Sequence, residues 1–387
     1  MKNELIRLLN VENGDFVFIP SGLNHQYIEI VLSEFLGKDL AISGCKTTNL
    51  CSTKFGGVSN SGATTLRLSL ELSDGKPLDI LAKILSPDSV NIFKIDHRFN
   101  SRIDEINWAR WWGRQDVPWV PLVCDTRANL DSREFWILRE YFPRVGWCGS
   151  SAEKSGVTDN FHGNIEQLRI LFKHVADLHA YSRQRINELS GLFSGNGDRP
   201  GGMCSPQVIQ KELTELVEDP EFLSTIGVTE GERRSLAGYC KAVEKRPAWI
   251  DRWDVVCVTA DWKPDNIGVR NSGHNEEIVI FDWGTTRLAP MEEEMFVLLR
   301  RLGSVEEKVK KELVSHYLQV YAEKTGHHIE YDEFILRMPW ARFLVKLRYI
   351  INHVIALRWV PYQTRSHELI HLFIDLAGQA WEECQSD

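Results

Sequence analysis

Apolar and polar positions change period along this chain, and the change divides it. Leu66-Arg67-Leu68-Ser69-Leu70-Glu71-Leu72 alternates residue by residue, which predicts a strand with one buried face. Asp74-Gly75 then turns the chain into a second apolar run from Leu78 to Leu85. Residues 45–142 read as β-rich, with a helix over Arg102 to Gly113 and a further apolar run at Phe135 to Tyr141. Before them, Leu23 to Leu36 has helical spacing, with Ser21 as its expected cap. Beyond residue 163 the period becomes helical. Helices are expected at Asn164 to Arg183 and at 206–218, 230–245, 292–302, 305–324, 332–357 and 366–383, with Pro339 breaking or kinking the sixth of these. Pro143 to Gly163, rich in Gly and Ser, reads as a link, and Gly191 to Ser205 as a glycine-rich connection. Short β-rich runs interrupt the helices at Asp254 to Val258, Ile267 to Arg270 and Glu277 to Phe281, the last two joined by the turn 271–275. The organisation expected is a 1–44 helical extension, a 45–142 β-rich domain and a 143–387 helical domain with an insertion at 182–250.

Composition fits a globular protein and narrows its partners. A chain of 387 residues suggests about two domains, and 43% hydrophobic with 26% charged residues is ordinary. The net charge of −9 argues against nonspecific nucleic-acid binding, which needs a basic surface. No segment has the apolar length of a membrane span, and Lys2, Glu4, Arg7, Glu12 and Asp15 do not suit a signal peptide. No membrane partner and a cytoplasmic location are expected. The eight cysteines include no C-x-x-C pair, so reduced thiols are expected rather than zinc or redox motifs.

The candidate chemistry lies in Asp261-Trp262-Lys263-Pro264-Asp265-Asn266 and Asp282-Trp283-Gly284. Asp, Asn and Asp in this order are what ATP-dependent phosphoryl transfer needs: one carboxylate takes the proton of the attacking hydroxyl, and an amide oxygen with a second carboxylate holds Mg²⁺. The predicted hairpin returns Asp282 beside Asn266. Upstream, Lys83 is the only cation of its apolar strand and needs an anionic partner, which Glu105 supplies, with Asp104 as the alternative. Lys54 to Gly62, with Gly56, Gly57, Ser59 and Asn60, lies between β-like stretches, where glycines let backbone N–H groups approach phosphate oxygens. Glu292-Glu293-Glu294 opens a helix, as the helix dipole favours; a sharper reading is attraction of substrate amines. Tyr349, Phe373 and other aromatics near the C-terminus read mostly as core, with a few lining an acceptor pocket.

Together these residues resemble the protein-kinase-like superfamily, in particular the small-molecule branch of aminoglycoside and choline phosphotransferases. The resemblance runs from about residue 24 to 282 and includes Ala176-Asp177-Leu178-His179-Ala180 at a helix end. It implies a bilobal α+β fold with a small antiparallel-sheet N-lobe and a larger, mostly helical C-lobe. It also implies Asp261 as catalytic base, Asn266 and Asp282 as Mg²⁺ ligands, Lys83 on ATP phosphates, and the segment around Phe135 to Phe142, with Glu140, on adenine. His179 reads as structural. Two positions depart from the branch. Thr259 stands where relatives carry a scaffolding His. Lys263, where His is usual, makes the loop resemble that of protein kinases and would neutralise charge on the transferred phosphate. Against a protein kinase, Ala289-Pro290 follows Gly284 after five positions (289 − 284 = 5), too few for an activation segment, and Ala260 replaces the arginine of H-R-D.

The expected function is therefore transfer of the ATP γ-phosphate to a hydroxyl of a small molecule. A cationic natural-product antibiotic is the first acceptor class expected, and a metabolite such as an amino alcohol or sugar the second. The rivals are a noncatalytic kinase-like nucleotide-binding scaffold and an atypical protein kinase.

Overall fold

In a computed structural model the chain forms two compact units, residues 1–157 with 264–285, and residues 158–263 with 286–387. The structure describes residues 19–50, 63–85, 101–129, 132, 134–142, 161, 164–193, 206–250, 253–259, 262–270, 277–283, 286–359 and 364–386.

The first unit is built on a five-stranded antiparallel sheet in the order β1-β2-β3-β5-β4. Its strands are β1 Ile42–Asn49, β2 Ala63–Leu72, β3 Pro77–Leu85, β4 Val123–Asn129 and β5 Glu134–Glu140. The alternation in β2 does what it predicts: Leu66, Leu68, Leu70 and Leu72 are all buried. They pack with Ile80, Ala82 and Ile84 of β3, Trp136 and Leu138 of β5, and Ile28, Val31 and Leu32 of helix α1, His25–Leu36. Phe135 and Ile137 alternate with those β5 residues and pack on Ile106 and Ala109 of helix α2, Ser101–Trp112. The period of two in β5 thus serves a helix on each face. Each such buried side chain stabilises the sheet by about 1.5–3 kcal/mol. The cap of α1 is Asn24, not Ser21: the Asn24 side chain accepts from the Tyr27 N–H at 2.9 Å. Ser21 lies one turn too early to reach the orphan donors of the first turn. The helix ends on Gly37 at φ 62°, a left-handed position that glycine adopts without strain.

The hairpin β7 Ile267–Arg270 and β8 Glu277–Ile280 belongs to this unit. The Ile280 N–H donates to the Trp119 carbonyl at 3.0 Å, and Arg270 pairs with Glu140 at 2.6 Å. Gly268 is required here: a Cβ would meet Phe142 at 2.7 Å.

The second unit is mainly helical. Helix α3, Ile165–Arg183, starts with a capping box between Asn164 and Gln167. It is followed by α4 Ile186–Phe193, α5 Pro206–Val217, α6 Pro220–Thr225 and α7 Glu230–Glu244. Strand β6, Val255–Val258, pairs antiparallel with β9, Arg287–Pro290, which leads into α8, Met291–Arg301. Helices α9 Glu307–Thr325, α10 Tyr331–Trp359 and α11 Thr364–Ser386 complete it. Pro339 does not break α10, which is helical on both sides of it. Burial of Phe343, Leu347, Ile350 and Val354 on one side and Met338 and Phe334 on the other holds the helix across the hydrogen bond that proline removes. Strands gather in the first unit and helices dominate the second, the α+β division that the motifs predict. Among the described residues, no helix is long and apolar enough to cross a membrane.

Candidate active site

Lys83 sits in β3, the middle strand of the sheet, opposite Thr65 of β2 and Ile137 of β5. Its ammonium donates to Glu105 Oε1 at 2.5 Å and to Asp282 Oδ1 at 2.8 Å. The lysine side chain is 14% exposed and that of Glu105 7%. Burial works against the charge on Lys83, and the two carboxylates overcome that, holding its pKa above the ordinary value. The partner anticipated for this buried cation is thus Glu105. The side chain of Asp104 lies outside the described residues.

Asp282 reaches Lys83 because of the hairpin. The Phe281 N–H donates to the Asn266 carbonyl at 3.0 Å, so the end of β8 is pinned against the start of β7. Asn266 closes the short turn Pro264–Asn266 and is buried. Asp282 has φ 73°, the only positive φ of a non-glycine among the described residues. This left-handed turn costs a residue with Cβ about 1–2 kcal/mol, which the neighbouring contacts must offset. Trp283 anchors it: its ring lies 5.2 Å from that of Trp112, on the helix that carries Glu105. One aromatic cluster therefore fixes both carboxylates that face Lys83.

Arg139 went unread in the sequence. It lies opposite Leu81 in the β3–β5 ladder, and so on the same face as Lys83 two positions along. Its guanidinium stacks over Phe281 at 4.7 Å. Burial pulls its pKa down to about 10, against the opposing pull of Asp282, Glu105 and Glu140. The reasoning applied to Lys83, a cation in an apolar strand, would have found it. The Glu140 carboxylate is engaged by Arg270 at 2.6 Å and by the Leu122 N–H at 3.2 Å. The Glu140 N–H in turn donates to the Leu122 carbonyl at 2.8 Å.

In the second unit, β6 runs into the loop that carries Lys263, which is half-buried. Thr259, the residue in place of the scaffolding His, donates to Glu294 Oε2 from its N–H at 2.5 Å and from its hydroxyl at 3.3 Å. His179 is fully buried, with Nδ1 2.7 Å from the Tyr317 hydroxyl, in a structural role. The three glutamates of α8 do not offer carboxylates to solvent. Glu292 faces Arg337 at 3.3 Å, Glu293 pairs with Arg287 and lies 3.5 Å from Arg348, and Glu294 holds Thr259. All three are buried, so attraction of substrate amines is not their role, and the helix dipole alone does not account for them. Asp261, Gly56, Gly57, Ser59 and Asn60 lie outside the described residues.

The residues brought together fit a metal-bound nucleoside triphosphate. The acidic and amide oxygens of Asp282 and Asn266 are hard donors of the kind Mg²⁺ takes, and a charged Lys83 beside Asp282 suits phosphate. Among the described residues no group of three or more His, Cys, Asp or Glu could hold a metal ion by itself.

Compared by sequence, the chain matches no protein-family model and none of the curated proteins. Compared by structure, it resembles a Ralstonia eutropha protein provisionally named an aminoglycoside phosphotransferase, with TM-score 0.52 and 11% identity over 92% of this chain and 98% of that one. It also resembles an ethanolamine kinase of Plasmodium vivax, with TM-score 0.50 and 13% identity over 92% of this chain and 89% of that one. At such identities the likeness defines the fold: that of protein-kinase-like small-molecule phosphotransferases.

Proposed function

We propose that the protein is an ATP- and Mg²⁺-dependent phosphotransferase acting on a hydroxyl of a small molecule. The observation that carries this reading is Lys83 held between Glu105 and Asp282, residues from three distant stretches of sequence. Lys83, with Glu105 orienting it, positions the phosphates, and Gly56, Gly57, Ser59 and Asn60 offer backbone N–H groups to them. Asn266 and Asp282 hold Mg²⁺, which would neutralise charge on the triphosphate. Asp261 accepts the proton of the acceptor hydroxyl, and Lys263 balances negative charge on the group in transfer. The short interval between Asp282 and β9 supports a small acceptor, because it holds only residues 283–286 and cannot build a peptide platform. A cationic antibiotic and a metabolite with a free hydroxyl both fit this reaction. The burial of Glu292, Glu293 and Glu294 removes one reason for favouring a cation.

The test is transfer of radiolabel from γ-labelled ATP, with panels of aminoglycosides, macrolides, amino alcohols and sugars as acceptors. Label should enter a small-molecule fraction. Asp261→Asn should lower the rate by about a hundredfold or more while nucleotide binding persists. Asp282→Ala should abolish transfer without unfolding the protein. Wild-type turnover in Asp282→Ala would sink the metal assignment. Nucleotide binding with no Asp261-dependent transfer to any acceptor would make the chain a scaffold. Asp261-dependent labelling of added protein would make it a protein kinase.

A further inference from the structure

The second unit contains a buried cation without a counter-ion among the described residues. Arg342, Lys346, Tyr349 and His353 recur at i, i+4, i+7 and i+11 and so share one face of α10. Phe296 and Arg300 lie one turn apart on α8. The Lys346 ammonium stands over the Phe296 ring at 5.6 Å and over the Phe373 ring of α11 at 5.5 Å. The Arg342 guanidinium lies over Phe296 at 5.4 Å. Phe373 in turn stacks on Tyr349 at 4.9 Å and on His353 at 5.6 Å. Lys346 is only 6% exposed, whereas Phe296, Arg342, Tyr349 and Phe373 are half-buried and Arg300 is exposed, so the cluster opens to solvent at its edge.

The charges acting on Lys346 have the wrong sign for a structural ion pair. Burial, then Arg300 and Arg342, pull its pKa down to about 8, and no acid opposes them. Arg342 has a carboxylate partner in Glu383, but Lys346 has none among the described residues. The two aromatic faces recover part of the hydration that the ammonium loses. They do not supply what a buried lysine ordinarily has, an anionic acceptor for its N–H groups.

We infer that Arg300, Arg342 and Lys346, with Phe296 and Phe373, form a binding site for a small molecule that joins an anionic oxygen group to a flat apolar body. Convergent guanidinium and ammonium donors suit a carboxylate or a phosphate, and half-buried rings suit a planar or apolar remainder. The site lies on the same helix as the loop anchor, since Glu294, which holds Thr259, precedes Phe296 by two residues (296 − 294 = 2). It stands without the phosphotransferase reading.

Calorimetric titration of the full chain, with no nucleotide present, tests this with benzoate, phenyl phosphate and benzylamine. At least one of the two anions should bind the wild type, and the tighter one identifies the preferred group. Lys346→Met, close in shape and without the charge, should weaken that binding about tenfold. It should not lower the thermal midpoint, because it removes a buried charge rather than a buried contact. Arg300→Gln, at the exposed edge, should weaken binding about threefold and leaves the packed residues in place. Benzylamine should not bind. The inference is overturned if neither anion binds at about 10 mM, if both bind Lys346→Met as well as wild type, or if benzylamine binds as tightly. None of these results depends on ATP turnover, so failure here and failure of the phosphotransferase reading are separate outcomes.

Discussion

Lys83 stays charged in a buried strand because two carboxylates face it, and the buried Glu105 would be costly there without it. Replacing the lysine alone leaves Glu105 and Asp282 facing each other without a cation. Lys83→Met should therefore destabilise the fold by about 2–4 kcal/mol, and adding Glu105→Gln should recover much of that loss. Glu105→Gln alone should cost less, because Asp282 continues to balance the ammonium. Denaturant unfolding of the two singles and the double closes the cycle. Additive effects would mean that the two residues do not act as a pair. At this scale much of the site was legible. A lysine in an apolar strand demands an acid, and a helix with acids at 104 and 105 follows it. Sequence left Asp104 and Glu105 open because adjacent helical residues point about 100° apart, and only packing on Phe135 and Ile137 fixes the helix phase. The left-handed backbone of Asp282 had no signal at all, since that position is ordinarily read as glycine.

Elements were legible where their pattern was long or their turn well marked. The β7–β8 hairpin follows from two apolar runs around Asn271 to Asn275, and α3 from its long helical period. Strand β9 was missed because Arg287–Pro290 is four residues with a charge and a proline, and it exists only by pairing with β6. Helices α4 and α6 are too short, at eight and six residues, for periodicity to reveal. The glutamates of α8 were misread because an acidic first turn has a sufficient local explanation, whereas their partners Arg287, Arg337, Arg348 and Thr259 come from other elements. Among them Glu294 ties α8 to Thr259, just past the end of β6. Glu294→Ala should leave the buried Thr259 N–H unsatisfied and cost about 1–3 kcal/mol of stability. By loosening the loop it should also lower kcat more than it alters the KM for ATP. A variant with full kcat would show that the loop is held elsewhere.

At the scale of the whole molecule, two buried groups give stability opposite dependences on pH. His174 on α3 is kept neutral: burial, then Lys173, hold its pKa down at about 4, and its Nδ1 has no hydrogen-bond partner among the described residues. The unfolded chain binds the extra proton, so the stability tied to a neutral His174 is present above about pH 6.5 and is lost as pH falls towards 4. Glu292 behaves inversely. Burial raises its pKa to about 7 despite Arg337, and its Oε2 has no hydrogen-bond partner among the described residues. The folded chain binds the extra proton, so this contribution is present below about pH 4.5 and is lost as pH rises through 7. Each amounts to about 3 kcal/mol at most by linkage, and between pH 4.5 and 6.5 the two oppose each other. The wild type should therefore show a flat stability profile across that interval, and each single variant should uncover the other group. His174→Gln should lose stability from pH 4.5 to 7 as Glu292 ionises. Glu292→Gln should gain it from pH 4 to 6.5 as His174 loses its proton. Chemical unfolding of the three proteins at half-unit pH steps reads both slopes, and profiles of the same shape in all three would show that neither group titrates as its surroundings require.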